Sequence, residues 1–201
     1  MESVDDFILQ HLNQSKPGRI HFINDFADLG NYTAVRVALH RLVKKGVLRR
    51  VTRGMYILPL TSKLLNDEVG VSLDQVATAI ARKDNARIMP TGSYALHALG
   101  LSTQIPLNIV YYTDGTPRKI NVGKGTILFK KASAKTMSYR GAISKLVIMA
   151  MRDIGNGKLT SSEEEKLLAL LKKEDIDDLK HDIRLAPQWI GEFMSKAFRD
   201  E

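Results

Sequence analysis

The sequence predicts an α+β protein of two domains. Three observations carry that expectation: helical apolar spacing from Ser3 to Lys45 that gives way to a glycine-centred hairpin pattern ending near Leu58, alternating β-formers between Arg87 and Lys131, and a return to helical periodicity beyond Gly141. The stretch Thr61–Gly70 is of mixed polarity and is the expected boundary, so the domains are read as residues 1–62 and 70–201. An apolar fraction of 44% and a charged fraction of 26% are ordinary for a globular chain and argue against disorder.

In the first domain, Ser3 followed by Asp6 has the form of a helix N-cap with an acid at the third helical position. Phe7, Ile8, His11 and Leu12 continue at helical spacing to about Asn13. Ser15-Lys16-Pro17-Gly18 reads as a turn, and Ile20, Phe22, Ile23, Phe26 and Leu29 predict a short second helix closed by Gly30. From Asn31 a third helix is expected to bury Val35, Ala38, Leu39, Leu42 and Val43, which share one face. At about 100° per residue the opposite face collects Thr33, Val37, His40, Arg41 and Lys44, with Arg36 on its flank. Gly46 stops this helix. Val47–Val51, then Thr52-Arg53-Gly54, then Met55–Leu58 predict a β-hairpin whose turn takes its positive φ from Gly54. Three short helices followed by a hairpin are the order of a winged helix-turn-helix.

The second domain is read as α/β, with a small antiparallel sheet and a helical C-terminal part. Ser72 is the expected cap of a helix carrying Val76 and Ile80 and finishing by Asp84-Asn85. Arg87–Pro90 predicts a short strand running through Thr91-Gly92-Ser93 into a helix over Tyr94–Leu99, stopped by Gly100. Asn108–Thr113 predicts a strand, Asp114-Gly115 a turn, and Arg118–Val122 and Thr126–Lys131 two half-buried strands in a hairpin or meander. Ile143, Leu146, Val147, Met149 and Ala150 mark one later helix. Leu167, Leu168, Leu170 and Leu171 mark another, capped by Ser161 or Ser162. Trp189, Ile190, Phe193, Met194 and Phe198 line a final helix behind Pro187 and read as core or interface rather than as a cofactor box.

Charge is the strongest pointer to function. The chain carries +8, but from Leu29 to Asn66 there is no Asp or Glu, while Arg36, Arg41, Lys44, Lys45, Arg49, Arg50, Arg53 and Lys63 all fall there. From Thr136 onward, by contrast, 11 basic residues face 12 acidic ones, so the positive charge is localised on the third helix and the hairpin. A helix fits the major groove of B-DNA and its outward side chains reach base edges, while a neighbouring hairpin lies along the backbone or minor groove. The expected base-reading positions are therefore Asn31, Tyr32, Thr33, Arg36, Val37, His40 and Arg41. Lys44 and Lys45, and Arg49, Arg50 and Arg53 on the hairpin, complete the expected surface for double-stranded DNA. An ordinary solvated helix and a protein-binding winged helix are the competing readings.

The sequence lacks the residue patterns that catalysis would need. A Gly-Ser turn such as Gly92-Ser93 opens a helix in nucleotidyltransferases, but those enzymes also need two carboxylates, one residue apart, on the next strand to hold metal ions. Here that strand is Asn108–Tyr112, with no carboxylate before Asp114. Lys124-Gly125-Thr126 lacks the first glycine of a phosphate-binding loop and precedes a strand. The histidines His11, His21, His40, His97 and His181 show no metal-ligand spacing, so no catalytic, cofactor or metal residue is nominated. The absence of cysteine excludes disulfides and thiolate metal sites, and is compatible with a reducing compartment. Acidic Glu2, Asp5 and Asp6 do not suit an export signal, and the apolar run Leu146–Met151 is far shorter than the roughly 20 residues of a membrane span, so a cytoplasmic protein is expected.

Two segments carry a family resemblance. They are the run Ala38–Tyr56, with its Arg41-Leu42-Val43-Lys44-Lys45-Gly46-Val47-Leu48-Arg49-Arg50 centre, and the run Gly92–Gln104 with Ile105-Pro106; the likeness continues through Ile109–Lys131. The chain resembles the AbiEi-like antitoxin family of type IV toxin-antitoxin systems, including its compact branch of similar length. The resemblance implies a prokaryotic protein whose winged helix represses its own operon at repeated promoter sequences. It further implies a C-terminal region that counteracts a nucleotidyltransferase-like toxin and need not hold it in a stable complex. A stand-alone transcriptional regulator, a winged-helix protein-interaction module and a degenerate nucleotide-binding domain are the alternatives.

Overall fold

The structure, a computed structural model, describes residues 3–16, 18–59, 61–62, 67–68 and 70–198. Pro17 of the expected turn, Lys63 of the acid-free run and half of the Thr61–Gly70 stretch lie outside the described residues. The class is α+β, with short helices around small sheets. The chain forms two compact units, Met1–Ala79 with Asn121–Lys124, and Ile80–Ile120 with Gly125–Glu201, so the division falls C-terminal to Thr61–Gly70.

The first unit begins with α1 (Val4–Asn13), whose start is closed by a reciprocal cap. The Ser3 N–H donates to Asp6 Oδ2 at 2.9 Å, and the Asp6 N–H donates to Ser3 Oγ at 3.4 Å. The backbone and hydroxyl hydrogen bonds from Ser3 hold the Asp6 carboxyl below its ordinary range. Ile8 and Leu12 are buried, while Phe7, expected on the same face, is 39% exposed.

The expected second helix is corrected. Ile20–Phe22 forms a strand, β1, and only Ile23–Leu29 is helical, as a 3-10 segment. Ile20, His21 and Phe22 are all buried, so no alternation distinguishes this strand from a helix in the sequence. The Phe22 N–H donates to Asp25 Oδ2 at 3.0 Å and so starts the 3-10 turn.

Helix α2 (Tyr32–Lys44) follows, then β2 (Arg49–Thr52) and β3 (Met55–Ile57). The sheet order is β1-β3-β2, with Ile20 opposite Ile57 and Phe22 opposite Met55. The hairpin turns at Gly54, which takes φ +73°, and its register slips between Arg50 and Thr52. Ile8, Leu12, Phe26, Val35, Ala38, Leu39, Leu42, Leu48 and Tyr56 make the core of this unit. A two-strand pair, β4 (Thr61–Ser62) and β5 (Asp67–Glu68), lies beyond the hairpin in sequence.

Helix α3 (Leu73–Lys83) starts at Ser72, which exchanges hydrogen bonds with Gln75. Then come β6 (Ile88–Pro90), α4 (Gly92–Ala98), β7 (Asn108–Thr113), β8 (Arg118–Val122) and β9 (Gly125–Lys131). The sheet order β6-β7-β9-β8 makes it a mixed sheet, which corrects the expected antiparallel one. β6 and β7 are antiparallel, but β7 and β9 run parallel from Asn108 opposite Thr126 to Thr113 opposite Lys131. Alternation sets which face of a strand is buried and leaves its neighbour unspecified, so the placing of β8 at the edge and β9 inside was hidden. Arg87 donates from its backbone and its Nε to the two oxygens of Asp114, both at 2.7 Å, and holds that carboxyl below its ordinary range.

Four helices complete the second unit: α5 (Ser144–Ile154), α6 (Ser161–Leu171), α7 (Ile176–Leu185) and α8 (Gln188–Ser195). α7 had no counterpart in the sequence reading. Thr160, rather than Ser161 or Ser162, caps α6, in a box with Glu163. Ile148, Leu167, Leu171, Leu179, Ile190 and Met194 are among the buried centre of this unit. No helix among the described residues is long and apolar enough to cross a membrane.

The start of α5 has no local side-chain cap. Two distant carboxylates take that role. Glu174 Oε2 accepts from the Ile143 and Ser144 N–H groups at 2.5 and 2.8 Å, and Asp182 accepts from the Arg140 and Gly141 N–H groups at 2.9 and 3.0 Å and from the Ser144 hydroxyl. A Cβ on Gly141 would stand 2.5 Å from Glu174 Oε2, so only glycine admits this close approach.

Candidate nucleic-acid interface

Helix α2 positions most of the expected surface. Its spacing buries Val35, Ala38, Leu39 and Leu42, and turns Asn31, Tyr32, Thr33, Arg36, Val37, His40, Arg41, Lys44 and Lys45 to the exterior. Two of these are apolar and well exposed: Tyr32 at 64% and Val37 at 45%. No acid lies in the first turn of α2, so the positive end of its dipole is not neutralised locally. On the hairpin, Arg50 and Arg53 are exposed and Arg49 is half-buried.

The structure divides these residues by what they already hold. Arg36, His40, Lys44 and Arg53 form no ion pair among the described residues. Arg41 differs: its guanidinium reaches Asp5 Oδ1 at 2.5 Å, and Lys45 Nζ stands 4.0 Å from the other oxygen of that carboxylate. Asp5 is 9% exposed, so this pair ties α1 to α2, and Arg41 has a structural role beside any contact outside the protein. Asn31 Oδ1 accepts the Ala34 N–H at 2.9 Å and caps the helix, leaving only its amide NH₂ for another partner. Arg50 Nε donates to the Thr52 carbonyl at 3.3 Å, within the hairpin.

Asn31, Tyr32, Thr33, Val37 and Arg41 border one shallow groove with Val4 and Ala34. Asp5 is the residue that sequence reasoning missed: 36 positions separate it from Arg41, and no spacing rule links them. The arrangement offers cations, an amide donor and apolar surface on one helix, which suits a polyanion with apolar groups along a groove. Among the described residues no group of three or more His, Asp or Glu could hold a metal ion.

The chain belongs to DUF6088, a family of unknown function, whose family model matches residues 7–179. The match therefore takes in α1 from Phe7 onward, the α2 surface and the sheet of the second unit. A search of curated proteins gave no match.

Proposed function

We propose that this protein is a DNA-binding transcriptional regulator whose N-terminal unit is a winged helix-turn-helix. The order α1, β1, 3-10 turn, α2, β2, β3, with β1 against β3, supports that assignment, with α2 as the reading helix and β2–β3 as the wing. The observation that carries the reading is the pairing state of the cations: Arg36, Lys44 and Arg53 are exposed and, among the described residues, form no ion pair, on an acid-free helix and hairpin. Cations held for internal structure would sit against carboxylates, as Arg41 does against Asp5.

The test is binding of the full chain to the DNA upstream of its own gene across a salt series, beside an Arg36→Gln, Lys44→Gln, Arg53→Gln triple variant. If each cation neutralises one phosphate, the slope of log K against log salt becomes shallower by about 2.7 in the variant. Binding that is insensitive to salt, or equal slopes, would refute the reading. Exposed Tyr32 and Val37 favour, as a second reading, a winged helix that binds protein; that reading expects no DNA complex at low salt.

We further propose that the regulator is the antitoxin of a type IV toxin-antitoxin system, repressing its own operon and counteracting a nucleotidyltransferase-like toxin. The resemblance of Ala38–Tyr56 and Gly92–Pro106 to AbiEi-like antitoxins supports this. Expression of the adjacent gene with and without this chain tests it: growth arrest relieved by co-expression is the expected result, and a harmless neighbour would overturn it.

A further inference from the structure

The second unit holds a cleft of about 490 Å³ that the regulator reading does not use. Its volume lies in the range of about 300–1,000 Å³ common for small-molecule sites. Three pieces of chain converge on it. Val110 and Tyr112, two apart on β7, share a sheet face, and Lys130 on β9 sits in register beside Tyr112. Met149, Arg152 and Asp153 come from one face of α5 at its C-terminal end, spaced three and four apart. Thr91, which links β6 to α4, and Gly92 and Ser93, the first two residues of α4, close the third side.

The charges in this cleft are left apart. Lys130, Arg152 and Asp153 are all exposed, yet among the described residues none of them forms an ion pair. Asp153 stands instead against the start of α4, where a Cβ on Gly92 would meet its Oδ1 at 3.3 Å. Two cations, a separate carboxylate, the Ser93 and Tyr112 hydroxyls and one aromatic ring thus face a common space. An anion would engage Lys130 and Arg152, a pair of hydroxyls would donate to Asp153, and a flat ring would lie on Tyr112. We infer that this cleft binds a nucleoside phosphate, its phosphate on Lys130 and Arg152 and its ribose hydroxyls on Asp153. No bond is made or broken there; the site is one of binding.

Calorimetric titration of the full chain, without DNA, tests this with ADP, GDP and inorganic pyrophosphate as probes. The three charged side chains are exposed, so their substitution leaves the core untouched, which thermal melting verifies. Saturable binding of ADP or GDP is expected, weakened at least about tenfold in Lys130→Gln, Arg152→Gln. Asp153→Asn separates the two halves of the ligand: it weakens nucleotide binding by about tenfold while pyrophosphate affinity stays equal or rises, because a repelling charge is removed. Absence of nucleotide binding at about 1 mM probe overturns the proposal, as does binding that survives the double substitution. A double variant that loses affinity for DNA while neither form binds nucleotide also overturns it, by assigning Lys130 and Arg152 to backbone phosphates of the duplex.

Discussion

Replacing Asp182 by alanine should unfold the second unit far more readily than its surface would suggest. The carboxylate is fully buried, at 0% exposure, and serves the Arg140 and Gly141 N–H groups at 2.9 and 3.0 Å, the Ser144 hydroxyl, and His181 Nδ1 at 3.0 Å. Alanine leaves the Gly141 N–H and the Ser144 hydroxyl buried without an acceptor, each at a cost of about 1–3 kcal/mol, while the partly buried Arg140 N–H can turn to water. Removing a buried charge returns some desolvation energy, so the expected net loss is about 2–5 kcal/mol. Asparagine keeps one acceptor oxygen but aims an NH₂ group at other donors, so its loss should be smaller, about 1–3 kcal/mol. Urea unfolding can be followed by the emission of Trp189, the single tryptophan, which packs against the core of this unit. With a slope of about 2 kcal/mol per molar urea, within the usual range of about 1–3, the alanine variant should unfold at a midpoint lower by roughly 1–2.5 M. A midpoint within about 0.3 M of the wild type, or an asparagine variant weaker than the alanine one, would refute the assignment of this carboxylate as the cap of α5.

Gly141→Ala should destabilise the same unit by about 1–3 kcal/mol, since its Cβ would intrude on Glu174 and Ser144; equal urea midpoints would contradict the contact geometry. Asp5→Asn should lower thermal stability slightly, by about 0.5–1 kcal/mol, yet raise DNA affinity and steepen the salt slope by up to about 0.9, because it releases Arg41. Unchanged affinity would show that Arg41 stays away from DNA. Glu163 is held below its ordinary value of 4.5 by the backbone and hydroxyl hydrogen bonds from Thr160. A carboxyl lowered in the folded state adds stability that is fully present above its unfolded pKa and is lost as pH falls through the folded one. Melting curves of Glu163→Gln should therefore lie below wild type at neutral pH, and the gap should narrow as pH falls below 4.5; a gap that stays constant through acid titration would be the contrary result.

What could be read from the sequence was what short-range geometry controls. The Ser3–Asp6 cap, the buried stripe Val35–Ala38–Leu39–Leu42 and the Gly54 turn all follow from spacing within a few residues, and each stands in the structure. The outward set on α2, from Tyr32 to Lys44, follows from the same periodicity, because a helix that buries one face must expose the other. Tertiary structure decided what depends on residues far apart in the chain. It drew Ile20–Phe22 into a strand against β3, slipped β9 between β7 and β8, and paired Arg41 with Asp5. It also capped α5 with Glu174 and Asp182, about 30 and 38 positions downstream of Ser144. It separated the cations as well: Arg41 and Arg36 are alike in sequence, and only the carboxylate brought up by α1 makes one a structural tie and leaves the other available. The physical reason is common to all of these. Local periodicity governs which atoms leave water, whereas partners for strands, helix ends and charges are supplied by whatever the folded chain carries to them.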